Sequence, residues 1–291
     1  EALLSLHPDE LRRQRLREGD LVNLKSRRGS VIVAVSSDDS VRPGQAFVPM
    51  HWGDRFLKGG INVVTQPAFD PLSKQPELKH SGVRLEPVQL PWQLFALIEG
   101  DVQAHFRALR PLCEAFAYVS LSLTGRERPA LVIRAAHQEA PQPALLKLID
   151  QHLGLETGPV LAYDDPRRAI GKRVRIEQGR ITAIRLAGET LAQHWLHELW
   201  LEGRADEQLR RWLLAPMSSP PGASGLGGER ERTLCNCKNV SYRAVCAGIA
   251  EGLNLDQLKQ QLGCGSQCGS CVPEIKRLLA APVQPVAAIP V

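Results

Sequence analysis

Gly263-Cys264-Gly265-Ser266-Gln267-Cys268-Gly269-Ser270-Cys271-Val272-Pro273-Glu274 sets three cysteines among three glycines, directly before a segment of helical periodicity. Upstream, Cys235-Asn236-Cys237 supplies a second close pair, with 30 residues between Cys237 and Cys268. That interval suits a helical hairpin. Ser241 is placed to cap a helix with Val245 and Ile249 inward and Gly252 at its end. Asn254 is placed to cap another with Leu255, Leu258 and Leu262 inward, ended by Gly263. Val272-Pro273-Glu274 opens a third helix, with Pro in its first turn and Ile275, Leu278 and Leu279 on one face. The hairpin returns the chain so that the two cysteine pairs meet, and four thiolates from Cys235, Cys237, Cys268 and Cys271 suit zinc or an iron–sulfur cluster. Three details favour iron–sulfur: glycines that leave backbone N–H groups open to bridging sulfides, a C-x-C pair that is unusual for zinc, and a helix N-terminus beside the last ligand. Helices this short bury little apolar surface, so a metal centre would help hold them together.

The other three cysteines read as spare thiols. Cys246 lies beside inward Val245, Cys264 precedes the Cys268 pair by four residues and is at most a substitute ligand, and Cys113 follows Pro111-Leu112 in an apolar stretch. A two-plus-two metal site fits a reducing compartment, with a cytoplasmic location expected, and not a disulfide-held secreted domain. The 291 residues, 43% hydrophobic and 23% charged, exclude a disordered chain and suggest two or three domains. A net charge of +5 is thin support for nucleic-acid binding. The arginines at positions 12, 13, 15 and 17 read better as a solvated helix face. No run of about 18 apolar residues exists, so no membrane span is expected. The chain opens on Glu1-Ala2-Leu3 without the pattern of a signal peptide, and the expectation is the tail of a longer protein.

Residues 1–89 read as mainly β. Leu21–Lys25 alternates, Arg28-Gly29 turns the chain into Val31–Val35, and Pro43-Gly44 precedes Ala46–Pro49; a small barrel or sandwich is expected. Residues 90–215 read as mixed α+β. Trp92 to Leu109 has helix-like spacing, Leu131–Ile133 and Val174–Ile176 read as strands, Gln178-Gly179 as a hairpin turn into Ile181–Leu186, and Ala192–Trp200 and Asp206–Leu214 as helices. The Pro-, Gly- and Ser-rich segment 216–230 reads as a linker. Residues 231–282 form the cysteine unit and 283–291 a tail.

The pattern C-N-C, helix, helix, G-S-Q-C-G-S-C-V-P-E resembles the 2Fe-2S domain of bacterioferritin-associated ferredoxin, which implies Cys235, Cys237, Cys268 and Cys271 as ligands. The first 90 residues carry Leu6-His7-Pro8-Asp9, Gly19-Asp20-Leu21-Val22, Ser26-Arg27-Arg28-Gly29, Val48-Pro49-Met50-His51-Trp52, Asn62-Val63-Val64-Thr65 and Asp70 to Lys79 in order. This series resembles the molybdopterin-dinucleotide-binding barrel of molybdenum oxidoreductases. The resemblance implies that Asn62 and Lys79 contact the cofactor and that Met50 lies at the substrate funnel with His51 and Trp52 beside it. Arg27 and Arg28 are candidates for cofactor contact or a solvated strand end. Tyr163-Asp164-Asp165, Lys172-Arg173-Val174 and Arg185 to Glu189 resemble the small C-terminal domain of flavin-dependent disulfide and rubredoxin reductases.

The expected fold class is therefore multidomain: a β-barrel, a mixed α+β middle domain and a small all-α iron–sulfur domain. Together the resemblances imply the C-terminal part of an assimilatory nitrate reductase catalytic subunit, converting nitrate to nitrite. The implied cofactors are a 2Fe-2S cluster, molybdenum bis(molybdopterin guanine dinucleotide) shared with upstream domains, and a 4Fe-4S cluster in those domains. An NAD(P)H-dependent flavoprotein or a ferredoxin is the expected electron donor, and the isolated chain is expected not to reduce nitrate. A formate dehydrogenase type, a nitrite reductase large subunit and a stand-alone 2Fe-2S module remain open as alternatives.

Overall fold

The computed structural model describes residues 1–77, 80–203, 207–219, 233–235, 238, 240–267 and 269–280. It divides into two compact units, Glu1–Pro221 and Gly222–Val291. The first unit opens with β1 (Leu3–Leu6), α1 (Pro8–Gln14), β2 (Leu21–Lys25), β3 (Ser30–Ser37), β4 (Ala46–Phe47) and β5 (Arg84–Val88). These strands form one sheet in the order β4-β1-β3-β2-β5, with β1 parallel to β3 and the other pairs antiparallel. The alternation that predicted β2 and β3 is the observed one: Leu21, Val22, Leu24, Val31, Val33 and Val35 enter a core with Leu4 and Leu6.

Among the described residues this sheet is open, which corrects the expected barrel. Closure needs long, tilted strands with a complete hydrogen-bond ladder. Here β4 has only two residues, and Pro87 in β5 lacks an N–H donor on the other edge. Residues 48–77 contribute little sheet; they run as turns and a 3-10 helix, Ile61–Val64.

The chain then builds β6 (Trp92–Glu99), α2 (Val102–Leu109), β7 (Tyr118–Thr124), β8 (Ala130–His137), α3 (Pro143–His152), β9 (Val160–Asp165), β10 (Ile170–Glu177), β11 (Arg180–Ala187), α4 (Gln193–Glu202) and the single turn α5 (Glu207–Arg210). The strands form an antiparallel sheet ordered β7-β8-β6-β11-β10-β9. The helix-like spacing of Trp92 to Leu109 proves half strand: Leu94, Ala96 and Ile98 face one core while Phe95 and Leu97 face another. A strand buried on both faces loses its period of two, and so mimics a buried helix. α2 and α3 cover the first face through Leu109 and Ile149, and α4 covers the second through Trp195, Leu196 and Trp200. Lys58 Nζ donates to the carbonyls of Glu114 and Phe116 at 2.8 Å, and Arg110 donates to the carbonyls of Asp54 and Arg55 at 2.9 and 3.1 Å, which ties the 50–60 segment to this layer.

The second unit has β12 (Thr233–Cys235), β13 (Val240–Ser241), α6 (Tyr242–Ala250), α7 (Leu255–Leu262) and α8 (Val272–Ala280). Ser241 Oγ accepts from Ala244 N, and Asn254 forms a reciprocal capping box with Gln257. Val245, Leu258 and Ile275 form the centre of a core with Cys264. α6 and α7 stand where the Ser241 and Asn254 caps predicted them, and α8 opens at Val272 as the Val-Pro-Glu start predicted. The unit is not all-α, however, because β12 pairs with β13; strands of three and two residues are too short to show a period in sequence. Among the described residues no helix is long and apolar enough to cross a membrane.

Candidate functional site

Cys235 ends β12 and is 3% exposed; Cys271 stands directly before α8 and is 4% exposed. The two thiols are in hydrogen-bonding contact, although 36 positions separate them in sequence. Burial pushes the Cys271 thiol up, and the hydrogen bond with Cys235 and its charge add to that; the Gly265 backbone N–H at the sulfur pulls the other way. Gly265 has φ +73°, and a Cβ there would stand 2.8 Å from Val272 Cγ2. Glycine is what permits this amide to approach the sulfur. Paired sulfurs in a buried site with an amide donor match what a thiolate-bound iron–sulfur group requires: displacement of the thiol protons and compensation of negative charge. Cys237 and Cys268 lie outside the described residues. Among the described residues no group of three His, Cys, Asp or Glu side chains is assembled for a metal ion.

The remaining cysteines separate by environment. Cys264 is fully buried, its Sγ donates to the Leu258 carbonyl at 3.6 Å, and burial followed by the charge of Cys235 pushes its thiol up. It closes α7 and fills the core. Cys246 is half-buried on α6. Burial pushes the Cys113 thiol from the ordinary 9.0 up to about 12. In the unfolded chain this thiol ionises first, so its contribution to stability is complete below about pH 9 and is lost as pH rises toward 12. We expect stability to decline between pH 9 and 11 less steeply in Cys113→Ala than in the parent, as read by urea unfolding. Equal slopes would show that the thiol is not shielded.

In the first unit, Arg27 and Arg28 sit in the β2–β3 turn, closed by Ser26 N donating to Gly29 O at 2.9 Å. A Cβ on Gly29 would stand 2.7 Å from Val63 Cγ2, so this turn abuts the Ile61–Val64 turn that carries Asn62. Ile61 N donates to Trp52 O at 2.8 Å, and Ser81 Oγ donates to Val64 O at 2.7 Å. Arg27, Arg28, Trp52 and Asn62, which are far apart in sequence, thus come to neighbouring positions around one turn. Asn62, Arg27, Arg28 and His51 are exposed and Met50 is 37% exposed. The side chains of Asn62, Arg27 and Arg28 make no hydrogen bond among the described residues, leaving an amide and two guanidinium groups available to a polar ligand. Lys79 lies outside the described residues. The Asp70-Pro71-Leu72-Ser73 element is a tight turn: Asp70 Oδ1 accepts from Leu72 N, Ser73 N and Ser73 Oγ, and these bonds hold its carboxyl below the usual range.

Sequence reasoning missed a groove of about 1270 Å³ lined by Arg13, Arg42, Gln66, His80 and Arg84. Ser81 joins it to the Val64 turn. Its cations come from separate elements, so no local spacing marks them. Arg42 and Arg84 have no ion-pair partner among the described residues.

Residues 1–82 match the molybdopterin dinucleotide binding domain family, and residues 233–281 match the BFD-like [2Fe-2S] binding domain family. The chain is similar to a nitrate reductase of Klebsiella oxytoca, at 28% identity over 285 residues, which cover 97% of this chain and 30% of that protein. An 86-residue stretch is 34% identical to an F420-dependent formate dehydrogenase subunit alpha of Methanocaldococcus jannaschii, covering 30% of this chain and 12% of that subunit. The chain therefore spans under a third of the length of either relative.

Proposed function

We propose that this chain, which carries a molybdopterin dinucleotide-binding domain and a BFD-like 2Fe-2S domain, is the C-terminal part of a molybdenum-dependent assimilatory nitrate reductase. The observation that carries this reading is the single alignment with a nitrate reductase that runs through both units and covers 97% of the chain. The domains are proposed at residues 1–89, 90–215 and 231–282, with a linker at 216–230. When bound, the molybdenum cofactor supplies oxygen-atom transfer from nitrate, and the 2Fe-2S cluster supplies one-electron carriage.

The chain's own residues have simpler work. Asn62 offers a donor and an acceptor to the fixed hydrogen-bonding edge of a pterin, while Arg27, Arg28 and Lys79 offer cations to its phosphates. Trp52 anchors its segment through the Ile61 contact, and Met50 and His51 stand exposed beside it, on the side proposed to face the substrate funnel. Cys235, Cys237, Cys268 and Cys271 hold the cluster, with Gly265 N–H directed at sulfur and the α8 N-terminus countering negative charge. The middle sheet is proposed as a packing layer that braces the 50–60 segment. Electrons are proposed to arrive from an NAD(P)H-dependent flavoprotein or a ferredoxin in the cytoplasm, with a 4Fe-4S centre in the upstream part of the enzyme.

The formate dehydrogenase alignment supports a second reading for the first 90 residues. The complete protein separates the two. Nitrite formation from nitrate with reduced methyl viologen is expected, and the 291-residue chain alone is expected to form none. Formate oxidation without nitrate reduction would replace the first reading with the second.

A further inference from the structure

Between α3 and the β9–β10 edge lies a groove of about 900 Å³. Its floor holds Asp150 of α3 and Arg185 of β11, which are 5% and 2% exposed. Arg185 Nε donates to Asp150 Oδ1 at 2.9 Å and Nη2 donates to Oδ2 at 2.5 Å. The remaining nitrogen, Nη1, is buried with no hydrogen-bond partner. Native interiors leave few donors in this condition, and an orphaned guanidinium N–H in a groove marks a position for an acceptor. Gly171 makes room for it, since a Cβ there would lie 2.6 Å from Nη1. Asp164 Oδ1 covers the same spot, 3.0 Å from that Cβ position, on a side chain that is 52% exposed and accepts from Arg173 at 3.0 and 2.9 Å, so it uncovers Nη1 by giving up that surface pair.

The surroundings define the ligand. Leu146, Leu155, Val160 and Ile170 give the groove apolar walls, and Lys147 stands exposed at its rim without an ion-pair partner among the described residues. Asp150 and Asp164 are engaged by Arg185 and Arg173, at 2.5 and 2.9 Å. Both carboxylates nevertheless line the groove, together with Glu156. These three carboxylates repel a doubly charged phosphate more strongly than a singly charged carboxylate, and the latter needs only the outstanding N–H and Lys147. We propose that this groove binds a small monocarboxylate with an apolar body, its oxygen accepting from Arg185 Nη1 once Asp164 turns aside.

The test uses the full chain and 19F NMR with two probes, 4-(trifluoromethyl)benzoate and 6,6,6-trifluorohexanoate, each compared with its alcohol. Saturable binding of at least one acid is expected, with the matching alcohol at least tenfold weaker, because a hydrogen bond to a charged donor is lost. Ala162→Trp fills the groove from an exposed position on β9, leaves the ion pair intact, and is expected to abolish binding. Asp164→Ala removes the cover and one negative charge, and is expected to tighten binding at least threefold. Failure of both acids to bind, an alcohol binding as well as its acid, or unchanged binding in Ala162→Trp would each overturn the proposal and leave Nη1 to water alone. So would binding in Asp164→Ala no tighter than in the parent.

Discussion

Cys271→Ser is expected to abolish the visible absorption of the purified chain, whereas Cys113→Ser is expected to leave it unchanged. The contrast follows from where the two thiols sit. Cys271 meets Cys235 in a buried site with a glycine amide at its sulfur and α8 beginning at the next residue. Cys113 lies in the apolar core of the first unit, 1% exposed, with its proton held up to about pH 12. A serine hydroxyl keeps its proton at neutral pH and is a hard oxygen donor, so it does not replace a thiolate toward iron. Cys235→Ser is expected to behave as Cys271→Ser does. Loss of the centre should also loosen its unit. Three helices of eight or nine residues around Val245, Leu258 and Ile275 bury little apolar surface for their length, and metal binding in so small a unit is coupled to folding. Far-ultraviolet circular dichroism during chelator treatment measures this, and full helicity in the cluster-free protein would contradict it.

Asp150→Ala is expected to destabilise the first unit by about 3–5 kcal/mol, which is the range for removing one partner from a buried ion pair. The deletion leaves Arg185 charged, 2% exposed and without the acceptor of the two hydrogen bonds it donates, beside an Nη1 that already lacks a partner. Arg173 also loses a carboxylate, at 3.4 Å. The pair joins α3 to β11, so the loss falls on the contact between helix layer and sheet. Replacing both partners, as Asp150→Leu with Arg185→Met, is expected to recover most of the loss, because desolvation and attraction then vanish together. Urea unfolding followed by tryptophan fluorescence reads both variants. A loss under about 1 kcal/mol for Asp150→Ala would show that the pair is hydrated in solution.

The sequence made α6 and α7 of the second unit legible, because their signals are local, but not the β12–β13 pair. Ser241, Asn254 and Gly263 mark helix ends through short-range bonds that any chain of this pattern forms. The central strand β6 was legible only in part: Trp92–Glu99 is buried on both faces, and nothing in its spacing separates it from the helix that follows. Helix α3 gave no cap signal, and none is found in the fold, since Gln142 makes no side-chain cap bond. Barrel closure is a property of distant edges, and β4 and β5 each look unremarkable alone.

The sites divide in the same way. That Cys235 and Cys271 come together was expected from spacing, and so was the turn that carries Arg28; the turn that carries Asn62, and its meeting with the first through Gly29 and Val63, was not. The Arg185 groove was not legible: Asp164, Arg173 and Arg185 drew notice only through a resemblance that implies no ligand, and Asp150 and Gly171 drew none.

The most direct test of the central claim is metal and sulfide analysis of the anaerobically purified chain, joined to electron paramagnetic resonance after one-electron reduction. Two iron and two acid-labile sulfide per chain are expected, matching a 2Fe-2S domain, with a spin-one-half signal that disappears in Cys271→Ser. One zinc and no iron, or an iron signal that survives in Cys271→Ser, would contradict the account.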